Sequence, residues 1–153
     1  MEEDRGQDTS RKIFTLAEAE RARQSIESLL TEAIVHRRHA LDWERKLAAL
    51  VERIQLSGGL ALRRDRAREL RQSLDQASQK ASLAVQQIER AGCVVKDLGV
   101  GLIDFPGQLN GEEVFWCWRL GEDRIRFWHR QDEGFASRKP ISPSDAGAEP
   151  PVQ

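Results

Sequence analysis

No run of apolar residues in this chain approaches the roughly 20 that a membrane-spanning helix needs. The opening Met-Glu-Glu-Asp has nothing of a secretion signal. Membrane insertion is therefore not expected, and a cytoplasmic location is. Cysteine is scarce: Cys93 and Cys117 are the only two, too few for a disulfide framework, and no Cys/His pairing stands at a zinc-site spacing. An excess of either charge is missing as well. The 24 basic and 25 acidic residues leave a net charge of −1, so no strong field draws the chain to nucleic acid or anionic lipid. Phosphate-loop glycines are also lacking. Gly58-Gly59 joins two helical stretches and Gly99-Val100-Gly101 precedes no helix, which leaves nucleotide binding without support.

Glycine, proline and tryptophan are sparse before Gly92 and concentrated after it, so two chemistries share the 153 residues. Residues 1–11 and 140–153 carry charge, Pro, Ser and Gly with little to bury and read as disordered tails. Residues 12–139 remain as a single domain. Within it, Thr15 followed by Glu18 spells a capping box, and neither Gly nor Pro occurs from Thr15 to Ser57. That length is about 65 Å of helix. Its apolar residues keep a heptad rhythm in Ala19, Ile26, Ala33, Ala40, Leu47 and Ile54, with Ala22, Leu29, Trp43 and Leu50 in the second row. A second series, Ala67, Leu70, Leu74, Ala77, Ala81, Ala84, Ile88 and Ala91, ends at Gly92, a helix stop. The spacing predicts a long antiparallel two-helix coiled-coil hairpin over residues 15–91, narrow because its second seam is mostly alanine. If the chain reverses at Gly58-Gly59, Ala91 returns beside Ile26, and Leu16 and Ala19 need another cover.

Residues 93–139 supply it. Cys93–Leu98 and Gly101–Phe105 read as two short strands, the second closed by Pro106 and Gly107. Glu113–Leu120 and Arg124–His129 flank a turn at Gly121-Glu122-Asp123, with Val114, Trp116, Trp118 and Leu120 alternating on one face and Ile125, Phe127 and His129 on one face of the return. Such a unit is too small to be stable alone. The expected fold is α+β, with a small antiparallel sheet packed on the open end of the hairpin.

Several of these residues resemble a known family. Phe14–Ala19, the block Val95-Lys96-Asp97-Leu98 with Gly101–Pro106, and the run from Cys117-Trp118-Arg119-Leu120-Gly121-Glu122 through Phe127-Trp128-His129 to Gly134-Phe135 and Arg138 look like the domain of unknown function 2203. The resemblance spans the chain apart from its tails. It implies a bacterial, cytoplasmic protein and no particular activity.

Two function classes follow from the residues themselves. The first is a non-enzymatic interaction or scaffold protein, a homo-oligomer formed through leftover apolar helix positions, Ile34, Leu41 and Val51. The second is a small-molecule or metal-dependent site on the β unit, built from Lys96, Asp97, Asp104, Glu122, His129 and Arg138 and centred on His129 as base or ligand. It requires those side chains to converge. Whether the chain is an enzyme stays open, and spacing assigns no cofactor and no metal ligand. Glu32, His36 and His39 share one helix face but lack a second half-site, so His36 reads as a polar register device. Arg63, Arg64, Arg66, Arg68 and Arg71 alternate with Asp65 and Glu69 and have no aromatic neighbour for base stacking, which makes nucleic acid an unsupported partner. Cys117 has no histidine nearby in sequence to act as its base. Charge divides at Gly92: residues 1–91 hold 17 basic and 15 acidic residues and residues 92–153 hold 7 and 10. A mildly basic helical part thus meets a mildly acidic sheet.

Overall fold

A computed structural model describes residues 12–57 and 61–146. The expected tail 1–11, the turn glycines Gly58 and Gly59, and the last residues, 147–153, lie outside the described residues. Thr15 caps the first helix, its hydroxyl accepting from the Glu18 N–H at 3.1 Å. Helix α1 runs Leu16–Ser57, and α2 runs Ala61–Arg90 and stops ahead of Gly92. They pack antiparallel. At one end the Arg63 guanidinium donates to the Ser57 hydroxyl at 2.6 Å; at the other Ala91 stands beside Ala22 and Ile26. The buried residues of α2, Leu70, Ala77, Ala81, Ala84 and Ile88, all belong to the predicted seam. Those of α1 are Ala19, Arg23, Ile26, Leu30, Ala33 and Ile34, and none lies beyond Ile34.

The remainder of α1 is left half-covered because the sheet ends there. Strands β1 (Val94–Asp97), β2 (Leu102–Leu109), β3 (Glu112–Arg119), β4 (Phe127–Arg130) and β5 (Lys139–Pro140) form an antiparallel meander in chain order. Ile103, Phe105 and Leu109 of β2 and Val114, Trp116 and Trp118 of β3 face the helices, joining Phe14, Ala19, Ile26, Leu30, Ile34 and Ile88 in one core. The unpaired start of α1 is thus covered by the sheet, as the unequal helix lengths require. Arg23 enters this core as a buried charge satisfied within its own helix by Glu20 at 3.1 Å and Glu27 at 3.5 Å. It lies over the Trp118 ring at 5.6 Å.

Several expectations are corrected. Strand β2 does not end at Phe105 but continues through Pro106 and Gly107 to Leu109. Pro106 is tolerated because its missing N–H faces away from β3, toward the edge where its carbonyl accepts the Phe14 N–H at 2.7 Å. The hairpin then closes at Asn110 and Gly111, both at positive φ (52° and 80°), which is the Asn-Gly two-residue turn. Strand β4 begins at Phe127 rather than Arg124. Ile125 turns into the helical core instead of sharing a face with Phe127 and His129, because the Glu20 carboxylate of α1 accepts the Ile125 N–H and draws the loop inward. Structure also persists past the boundary expected at 139. Ile141 donates to the Arg126 carbonyl at 2.9 Å and packs on the core, and a short helix α3, Pro143–Ala146, follows. Finally, Ile34 is not a leftover surface residue; it is buried in the core beside the sheet. No helix among the described residues is long and apolar enough to cross a membrane.

Candidate functional site: the outer face of the sheet

Strand alternation sends a second set of side chains away from the helices. Register places Asp104 opposite Cys117, and Cys117 opposite Phe127. Pro106 stands opposite Phe115, and Phe115 opposite His129. This face is closed rather than open. Asp104 and Cys117 are 0% exposed and His129 is 3% exposed. The 3-10 turn Phe135–Ser137 leads into Arg138, whose guanidinium lies 4.1 Å from the Phe127 ring and 4.6 Å from the Phe135 ring.

His129 is held from both sides. Its Nε2 lies 3.1 and 3.0 Å from the two Asp104 carboxylate oxygens, and its Nδ1 lies 2.7 Å from the Arg130 carbonyl. A carbonyl only accepts, so Nδ1 carries a hydrogen. Nε2 and the Asp104 carboxyl thus partner one another across the strands in a closed face, where a buried polar group left without a partner is costly. The Phe115 ring packs against His129 at 5.5 Å, and the Lys96 ammonium sits 5.3 Å from the centroid of that same ring.

Cys117 borders this pair. Its thiol is pushed up to about 12, first by burial and then by the Asp104 carboxylate beside it, with Arg138 opposing. It therefore stays a thiol at neutral pH and is no nucleophile in this form. Glu122 completes the arrangement, its carboxylate accepting from Arg138 Nη2 at 2.7 and 2.9 Å and from the Arg119 N–H at 2.6 Å. Arg138 Nη2 also reaches the Cys117 carbonyl at 3.5 Å, and its buried Nε has no partner among the described residues.

Five of the six residues expected to form a site thus belong to this face: Asp104 with His129, Glu122 with Arg138, and Lys96 over the aromatic ring between. Asp97 does not join them. Its carboxylate accepts the Gly99 N–H at 2.8 Å and shapes the β1–β2 turn. Cys117 is the member that sequence spacing misses, because its histidine lies 12 residues on and reaches it across strands. Alternation carried the signal: a residue between the core-facing Trp116 and Trp118 must point outward. Among the described residues, Asp104, Cys117 and His129 are the one group of three ligand-type side chains whose donor atoms lie close together, all within 4.8 Å of one another. Glu32, His36 and His39 form no such group. The arginines at the start of α2 are partly spent on local partners, Arg63 on Ser57 and Arg66 on Glu69 at 3.1 Å.

No curated protein and no solved structure matches the chain. A family model does match, over residues 12–141, which takes in both helices, all five strands and every residue of the outer face described above. The chain belongs to the family described as uncharacterized conserved protein, DUF2203.

Proposed function

We propose that the chain is a non-enzymatic interaction protein of the cytoplasm, in which the sheet and adjoining helix ends form a stable head and the helical arm beyond it pairs with the arm of a second copy. One observation carries this reading: the apolar row that Ile34 buries against the head runs on without cover. Heptad steps from Ile34 reach Leu41 and Ala48. Leu41, Val51 and Leu56 are 36%, 37% and 82% exposed. A shallow groove of about 290 Å3 lies along the arm between Leu47, Val51, Ala67, Arg68 and Arg71. Two helices in water with one narrow seam bury little, and four helices bury two sides of each. A second copy is the partner that offers a matching arm.

The rival reading, catalysis centred on His129, has less support. Its polar groups are paired with one another behind a closed face, and the Cys117 thiol is held protonated. Light scattering coupled to size exclusion tests the arm. The full chain is expected to be a dimer at micromolar concentration, and a Leu41→Glu/Val51→Glu variant a monomer with unchanged helical circular dichroism. A wild-type chain that stays monomeric at every concentration overturns the proposal.

A further inference from the structure

We propose that Asp104, Cys117 and His129 bind one divalent transition ion of the zinc class, clamping strands β2, β3 and β4 together on the face away from the helices. Each strand contributes one donor, and the donors are a carboxylate oxygen, a thiol sulfur and an imidazole nitrogen, the mixture that borderline-soft ions select over magnesium or calcium.

The geometry fits. Two ligands bonded at 2.0–2.3 Å around a tetrahedral ion stand about 3.5 Å apart. The three donor atoms already lie within 4.8 Å of one another, so closing on an ion needs movement of about 1 Å or less, a matter of side-chain rotation on three paired strands. Orientation is set in advance. The Nδ1–H bond to the Arg130 carbonyl at 2.7 Å fixes the ring and its tautomer, leaving Nε2 as the nitrogen with a lone pair toward the ion. Both Asp104 oxygens face Nε2, at 3.1 and 3.0 Å, and the second oxygen is available to complete the shell. On binding, the ion takes the place of the direct Nε2–Asp104 contact, and the Cys117 thiol releases its proton to solvent so that a thiolate sulfur bonds the ion. Arg138 and Glu122 cap the Cys117 side of the cluster, and the Phe115 ring flanks His129, so the site is enclosed in the manner of a structural rather than a catalytic centre. This assignment is independent of the oligomer proposed above.

Cobalt(II) is the direct probe. The full chain, freed of metal by a chelator and returned to buffer, is titrated with Co2+, then with Zn2+ and Mg2+. Expected are a saturable near-ultraviolet thiolate-to-cobalt band with visible d–d absorption at one ion per chain, displacement by Zn2+ but not by Mg2+, and a rise in denaturation midpoint with Zn2+. Cys117→Ser removes the near-ultraviolet band and weakens Zn2+ at least about tenfold, whereas Cys93→Ser leaves both unchanged. If Cys117→Ser does not fold, the wild-type spectrum and the Zn2+-dependent midpoint decide the matter by themselves. A folded wild-type chain that gives no thiolate band and no Zn2+ shift overturns the proposal, as does a band that survives Cys117→Ser.

Discussion

Both cysteines are governed by where their sulfur atoms end up. Burial raises Cys93 to about 11 and Cys117 to about 12 from the ordinary 9.0. In the unfolded chain these thiols release protons from about pH 9, while the folded chain keeps them, so across that window the native state binds more protons and stability falls as pH rises. Below about pH 9 the two states hold the same protons and these thiols impose no slope. Urea midpoints of the metal-free chain are expected to be level from about pH 7 to 8.5 and to decline above about pH 9. A Cys93→Ser/Cys117→Ser variant flattens that decline; an equal decline in the variant refutes the assignment. At this scale the sequence was only partly legible. Asp104, Glu122, His129 and Arg138 could be nominated from residue type and strand position, but Cys117 could not be paired with His129, because cross-strand register is not written in linear spacing. Asp97 has the same chemistry as Asp104 but serves a turn, where a carboxylate is equally at home.

Elements were more legible where a period or a cap marked them. The capping Thr15, the two heptad series and the stop at Gly92 placed both helices to within a few residues. Strand ends were harder. Pro106 and Gly107 look like punctuation, yet both lie inside β2 because of the chain segment ahead of α1. Phe14 donates to the Pro106 carbonyl and accepts, through its own carbonyl, the Trp116 indole N–H at 3.0 Å. That indole occupies the space over Gly107, where an added Cβ would stand 2.2 Å from Trp116 Nε1. Gly107→Ala therefore displaces Trp116, strips its hydrogen bond and loosens Phe14 from the sheet edge. The expected cost is about 2–4 kcal/mol, overpacking and a lost buried hydrogen bond together, read as a lower urea midpoint. A change under about 0.5 kcal/mol would show that the indole has room to move.

At the scale of the whole molecule, stability is concentrated at one end. The core gathers Phe14, the first half of α1, Ile88 of α2 and the inner faces of β2 and β3, while α1 beyond Ile34 contributes no fully buried side chain. Hydrogen exchange should follow this division. Amides of β2, β3 and α1 near Ile26 and Leu30 are expected to exchange only on global unfolding, and those of α1 from about residue 45 onward at least about a hundredfold faster in the metal-free monomeric variant. Uniform protection along α1 in that variant would contradict the picture of a head with an uncovered arm. The α+β class, the unequal helices and the need for a sheet to cover the start of α1 follow from the sequence alone, because period, caps and chain length are local quantities that fix where backbone hydrogen bonds and apolar stripes can go. Only the tertiary structure decided that Ile34 is core and Leu41 surface, that both faces of the sheet are closed, and that an aspartate, a cysteine and a histidine from three strands meet. Those outcomes depend on strand register and on how far the sheet reaches along the helix, and contacts between residues distant in sequence set both.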